Sequence, residues 1–288
     1  MTRTHRRLSL AVSIGLIAAL VVARAQSPAP QTRRLVSLVP AVTEMLFAIG
    51  AGSDVVGVGT FDAFPPEVAT LPRIGALLDP DVERILSLRP TLAVIYGSQD
   101  DLHRQLARAT IPTFDYRHGG LDDIPDTIRT LGDLVGRADR ARALATSMER
   151  SVAATRARYA AGRRPKTMIV FSREANTLRS VYVAGGVGFL HGVMTAAGAE
   201  NAFGDVARES LQASYEQILT RAPEVIVEVR LAPEMPLTSA QVMAAWQTMP
   251  TLPAVKTGRI YLWSDTNLVV PGPRVVDAIP RLADLVHR

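Results

Sequence analysis

The chemistry open to this chain is set first by what it lacks. It has 288 residues and no cysteine, which excludes both disulfides and thiolate metal sites. Its five histidines stand in no HxxxH or HxH spacing and have no local cluster of acids, so no bare zinc or manganese site is expected. No GxSxG elbow is present. The glycine-rich run Ala184–Phe189 (AGGVGF) lacks the Lys-Ser/Thr of a phosphate loop and the full dinucleotide spacing, so it reads as a turn. A secreted hydrolase is the rival from another class. It would need a nucleophile with a matched base near Ser98 or Ser172.

The residues left to carry a function follow apolar, strand-like runs. Phe61 and Phe64 follow VVGVG. Tyr96, Gly97, Ser98 and Gln99 follow TLAVI, and Tyr116, Arg117 and His118 follow IPTFD. Arg173 and Glu174 follow MIVFS, and Trp263, Ser264 and Asp265 follow RIYL. Aromatics with a few polar groups suit a large, flat, partly apolar ligand. Any one of these aromatics is as well read as core packing, and Trp263 at a strand end is evenly balanced. His118 could offer an imidazole to a metal already held in a chelate. A solvated loop histidine beside Gly119-Gly120 is the plainer reading and ranks ahead of it.

Two further acids fall at matching places. In DVERILSLRPTLAVIY and SYEQILTRAPEVIVEV, Glu83 aligns with Glu216, Pro90 with Pro223 and Val94 with Val227, all at an offset of 133 residues. The pattern is a helix, a proline-marked turn and a buried strand, used twice. Locally, a carboxylate in the first helical turn is worth about 0.3–1 kcal/mol against the helix dipole. Ser214 to Gln217 also fits a capping box.

The elements that position these residues alternate strand and helix with short links, which predicts two similar α/β lobes with mainly parallel sheets. LVSLVP, VVGVG, TLAVIYG and IPTFDY read as strands of a first lobe; PKTMIVFS, VYVAGG, EVIVEV and RIYLW read as strands of a second. Between them, GRADRARALATSMERSVAATRARYAAG has no proline or glycine between its end glycines. Ala141, Leu144, Ala145, Met148, Val152 and Ala153 form one apolar stripe on it. About 22 helical residues reach roughly 33 Å, long enough to tie two lobes together as a strut. The closing run PRVVDAIPRLADLVHR reads as an amphipathic helix broken at Pro280. The organisation expected is a cleaved signal over 1–25, a leader over 26–33, an N-terminal lobe over 34–135, the connecting helix over 136–162 and a C-terminal lobe over 163–288. The ligand cleft would lie between the lobes, at the strand C-termini.

Hydrophobic residues make up 48% of the chain, which supports packed cores. The opening MTRTHRR, an apolar run and Ala23-Arg24-Ala25 read as the secretory signal, with a membrane anchor as the alternative. No cysteine follows the run, so no lipid anchor is expected. The net charge of +5 includes Arg3, Arg6, Arg7 and Arg24, and their removal leaves +1. A nearly neutral mature chain implies neither nucleic acid nor an anionic membrane as partner.

Four segments together carry a resemblance: RLVSLVPAVTEMLFAIGAGSDVVGV, FPPEVATLPRIG, DPDVERILSLRPTLAV and SYEQILTRAPEVIV. From Arg34 to the C-terminus the chain resembles the periplasmic substrate-binding proteins of ABC importers for cobalamin, haem and ferric siderophores. In that family two lobes are joined by one long helix. The resemblance implies a periplasmic, non-enzymatic receptor without a cofactor, expected to be a monomer. It implies capture of a metal chelate, a corrinoid first, and its delivery to a permease with its ATPase. In the family one acid on each lobe docks on the permease, which implies that role for Glu83 and Glu216. The chain departs from the best-known cobalamin binders: Leu77 and Ser210 stand near the places of two tryptophans, and Val269 replaces an arginine four residues after Asp265.

Overall fold

The two central strands of the fold show why the chain folds as it does. Val225–Val229 (VIVEV) is buried at every residue, and Leu92–Tyr96 (LAVIY) at all but its last. Runs of this kind have no wet face, so helices must cover both sides of the sheets they belong to. The computed structural model describes residues 33–230 and 237–288. The signal and most of the leader lie outside the described residues. Among the described residues no helix is long and apolar enough to cross a membrane.

In chain order the first sheet and its helices are β1 (Leu35–Ser37), α1 (Pro40–Ala48), β2 (Val55–Val58), α2 (Val82–Ser87), β3 (Leu92–Tyr96), α3 (Asp100–Arg108), β4 (Thr113–Tyr116) and α4 (Ile124–Leu134). The sheet runs β2-β1-β3-β4, parallel throughout. The strut α5 (Ala138–Tyr159) follows. The second half holds β5 (Lys166–Ser172), β6 (Val181–Ala184), α6 (Phe189–Ala196), β7 (Glu200–Asn201), β8 (Ser210–Ala213), α7 (Tyr215–Arg221), β9 (Val225–Val229), α8 (Ser239–Trp246), α9 (Pro253–Lys256), β10 (Ile260–Trp263) and α10 (Val275–Val286). Its sheet is ordered β10-β9-β5-β6-β8, with the short β7 beside β5.

The repeat seen in the sequence is a repeat of structure. β9 lies 133 residues after β3 at both ends, and α7 begins 133 residues after α2. Arg89 and Ala222, at the same offset, are both left-handed with φ 47°, and each precedes a proline. A non-glycine residue tolerates that conformation only at a cost, so both copies use the same strained turn to swing the chain from helix to strand.

The second sheet is not all parallel. β6 runs antiparallel to β5, and β8 antiparallel to β6. Only residues 173–180 link β5 to β6, too few for the crossover that a parallel pair needs. The connecting helix also differs in detail from its expected stripe. Ala141, Ala145, Met148, Val152 and Thr155 are its buried face, while Ala153 is exposed. The buried steps of four and three follow a heptad seam against α4. Gly132 of α4 makes that approach possible, because a methyl group there would stand 2.1 Å from Ala141 Cβ. Pro280 does not break the last helix; α10 continues through it. Val275, Ala278, Ile279, Leu282, Ala283 and Val286 are buried on both sides of Pro280, and their burial outweighs one lost backbone hydrogen bond.

The largest apolar core belongs to neither sheet alone. It joins Leu35 and Val94 of the first sheet to Ile169, Val227 and Trp263 of the second through α4, α5, α6 and α10.

Candidate functional site

Strand C-termini from both sheets meet at a cavity of about 530 Å³. The first sheet contributes His118, just beyond β4. The second contributes Phe171 and Ser172 at the end of β5, Val229 and Arg230 at the end of β9, and Phe189 and Leu190 from the start of α6. Glu209, Ser210 and Val269 complete the lining. The walls are mainly aromatic and aliphatic, with polar groups at separate points.

His118 is exposed and stands at the end of an aromatic ladder. The Tyr96 and Tyr116 rings meet edge to face with centroids 6.3 Å apart, and Tyr116 meets His118 in the same way at 6.2 Å. Such edge contacts add about 0.5–1.5 kcal/mol beyond simple burial. The Tyr116 hydroxyl lies 3.5 Å from His118 Nδ1. Burial pushes the Tyr116 phenol up to about 12, so it stays protonated at neutral pH. Tyr116 therefore supports the histidine from behind.

The structure separates the other expected residues. Arg173 is not open to a ligand. Its side chain is fully buried; Nε donates to Glu228 Oε2 at 2.9 Å and Nη1 donates to the Glu174 and Thr177 carbonyls. Trp263 is core: it is fully buried, its Nε1 donates to Asn267 Oδ1 at 3.1 Å, and Arg281 lies 4.2 Å from the ring centroid. Gln99 is committed to the backbone, accepting from Tyr96 N and donating to the Leu77 carbonyl, both at 2.9 Å. Ser98 and Gln99 line a different hollow beside Leu77 and Leu78. Arg117 is exposed and is not part of the cavity wall, and Phe61 is 76% exposed.

Phe64 and Asp265 belong to a bridge between the two halves. Arg274 donates from Nε and Nη2 to both Glu44 oxygens, at 2.9 and 2.6 Å, and from Nη1 to Asp265 Oδ1 at 3.3 Å. Its guanidinium carbon sits 4.0 Å from the Phe64 ring centroid. Asp265 also caps the short turn Thr266–Leu268 by accepting from Asn267 N. Burial pushes the Glu44 carboxyl up from its ordinary value, against the pull of Arg274.

Nearby, Asp62 is 3% exposed, and neither carboxylate oxygen meets a donor in hydrogen-bonding geometry among the described residues. Burial pushes its carboxyl up to about 6, outweighing the opposing pull of Thr43, Arg73 and the Gly59 backbone.

Glu83 and Glu216 are both exposed, in the first turns of α2 and α7. Neither is ion-paired among the described residues. The α7 capping box forms, with Ser214 and Gln217 bonding reciprocally. The glycine run AGGVGF is a packing device: a methyl at Gly185 or Gly186 would stand 2.1 Å from the Arg208 or Gly204 carbonyl. The described histidines bond Asp115, Thr113, Tyr116, Asn201 and the Ala197 carbonyl; none bonds Ser98 or Ser172.

Sequence reasoning missed the lining from β9 and α6. One signal could have found part of it, because the 133-residue offset carries Tyr96-Gly97 onto Val229-Arg230.

Comparison with known proteins agrees with this architecture. A family model for the periplasmic binding proteins matches residues 35–266. A vitamin B12-binding protein of Pectobacterium carotovorum is 28% identical over 225 residues, covering 77% of this chain and 79% of that protein. The apo periplasmic haem-binding protein RhuT from Roseiflexus superposes with a TM-score of 0.77 at 27% identity, over 89% of this chain and 98% of that one. The periplasmic vitamin B12-binding protein BtuF of Vibrio cholerae superposes with a TM-score of 0.76 at 22% identity, over 88% and 96%.

Proposed function

Because this chain belongs to the periplasmic binding protein family, we propose that it is the receptor of an ABC importer that captures a metal chelate and delivers it to the permease. The reading rests on one observation above others. The cavity of about 530 Å³ takes its wall from both halves of the molecule, and most of that wall is aromatic or aliphatic. A large, flat, partly apolar chelate fits such a wall better than a small sugar or amino acid, which would need many paired polar groups. A corrinoid is the first ligand, supported by the vitamin B12-binding relative. The function is binding and handover, without chemistry on the ligand.

Haem or a ferric siderophore is the second reading. It is favoured by His118, an exposed imidazole on the cavity wall, and by the likeness to a haem-binding protein. Glu83 and Glu216, exposed and one in each copy of the repeat, are the proposed contacts with the two-fold permease. The receptor would act as a monomer in the periplasm.

The test is ligand coelution. Residues 26–288 are incubated separately with cobalamin, haemin and a ferric siderophore, desalted, and the visible spectrum of the protein fraction is recorded. A retained corrin spectrum near one equivalent is the expected result. Retained haem or siderophore colour moves the ligand assignment to the second reading. No colour from any of the three refutes the proposed function.

A further inference from the structure

One ion pair joins the two halves and lies outside the cavity wall. Glu44 stands on α1, where Val42, Met45 and Leu46 beside it are fully buried in the apolar core. Arg274 directly precedes α10, whose first residue, Val275, is fully buried. Each partner is therefore carried by an element fixed in its own half. Arg274 bonds both Glu44 oxygens, and its Nη2 also donates to Thr266 Oγ1 at 2.7 Å. With the Asp265 contact, one guanidinium closes the segment 265–274 on itself and ties it to α1.

The surroundings favour this pair. The Glu44 side chain is 4% exposed and that of Arg274 19%, and the Phe64 ring covers the guanidinium. The loop that carries Phe64 is held by Arg73, whose Nη1 donates to the Gly59 and Asp62 carbonyls at 3.0 and 2.8 Å. Gly272 lets the backbone of the second half come close, since a methyl there would stand 2.9 Å from Glu44 Oε2. A bidentate pair screened from water is stronger and more fixed in geometry than an exposed one. Val269 lies within the 265–274 segment and on the cavity wall, whereas Glu44, Phe64, Asp265 and Arg274 do not line the cavity.

We infer that the Glu44–Arg274 pair is a clasp that sets the width of the cleft in the empty receptor. The strut and the shared core limit how far the halves can part. The clasp removes the freedom that is left by holding α1 to the segment that carries Val269. The cleft then has its working width before a ligand arrives. Without the clasp the halves sample several widths, and affinity falls in proportion to the fraction of molecules still at the native one. The width is a property of the chain alone; only the effect on affinity rests on the proposed function.

The experiment uses the absence of native cysteine. Spin labels are placed on Ser87→Cys and Thr220→Cys, exposed positions on α2 and α7 that do not line the cavity. Pulsed dipolar spectroscopy reads the distance distribution between them without ligand. The labelled chain is compared with the same chain carrying Glu44→Gln, Arg274→Met, or both. The labelled chain alone should give one narrow distribution. Either substitution should broaden it by about 2 Å or more. The double variant should broaden it no further, because both changes remove the same contact. Asp265→Ala separates width from stability: it removes a contact and a cap within the second half, so the urea midpoint falls while the distribution stays narrow. Glu44→Gln exchanges one oxygen for a nitrogen, and it carries the test if Arg274→Met does not fold. Absorbance titration with cobalamin and with haemin then checks the effect on affinity. Whichever chelate the native chain binds should bind Glu44→Gln more weakly, by the factor through which the native-width fraction has dropped. A narrow distribution in either folded single variant overturns the inference. So does additive broadening in the double variant, or equal broadening in Asp265→Ala. If the native chain binds neither chelate, the proposed function has failed, and the distance distributions still decide the clasp.

Discussion

Asp62 offers a worked test of how burial tunes this molecule. Its carboxyl is pushed from 3.8 in a free chain to about 6 in the fold, chiefly by desolvation. Two units at about 1.4 kcal/mol each make its ionisation cost the folded state about 3 kcal/mol. Below the unfolded value, both states hold the proton and nothing is lost. Between 3.8 and about 6 the folded state keeps a proton that the unfolded chain has released, so stability falls as pH rises. Above about 6 the full cost is in place. Asp62→Asn removes the ionisation and nearly preserves the shape. It should therefore stabilise the fold by about 3 kcal/mol near pH 7.5, with the gain closing toward about pH 4. The assay is urea unfolding followed by tryptophan fluorescence, where that gain appears as a midpoint shift of about 1 M or more. The difference between the two pH values is the quantity that matters, because it cancels any packing cost of the amide. A stability difference that does not change with pH would refute the argument.

Three other outcomes follow from the geometry. The pair Glu83→Arg and Glu216→Arg should leave chelate affinity unchanged and abolish uptake by the reconstituted importer; lost affinity would remove both acids from the docking role. Glu228→Gln should cost about 3–5 kcal/mol of stability, because it leaves the buried Arg173 guanidinium, and the partly exposed Arg230 beside it, without a counter-charge. An unchanged urea midpoint would mean that Glu228 does not hold the cluster. Scattering profiles with and without a bound chelate should differ by less than about 1 Å in radius of gyration, and a change of several ångströms would sink the idea of a stiff strut.

The helices and the buried strands were legible because their signals are local, whereas the short strands β7 and β8 were not expected. The α5 segment is free of proline and glycine and carries a heptad seam, and the buried strands are continuous apolar runs bounded by turns. The 133-residue repeat was legible too, down to the prolines that follow Arg89 and Ala222. The site was less so. A residue that follows a strand lies at the cleft end of the sheet, but the sequence does not say which way its side chain turns. Arg173 and Trp263 both follow the positional rule and both turn inward, one to Glu228 and the other to Asn267. Arg230 obeys the same rule and lines the cavity. The buried acid inside VIVEV does not separate the two arginines, since Glu228 gathers both; they differ in that Arg173 is fully buried while Arg230 stays partly exposed on the cavity wall. The antiparallel β6–β8 edge was hidden for a different reason. Its pairing is set by a short link and distant partners, and neither leaves a periodic trace.

The core that runs through α5 has a thermodynamic consequence. Val94 and Val227 lie in one apolar cluster together with the buried face of the strut, so melting of one half would strip packing from the other. Unfolding should be a single cooperative event. A chelate seated between the halves then stabilises the whole chain at once, by RT ln(1 + [L]/Kd). In a receptor with two loosely hinged domains the same binding energy would be spread over separate transitions. Here the melting temperature becomes a direct meter of affinity: a ligand present at about 100 times its Kd adds about 2.7 kcal/mol to one transition.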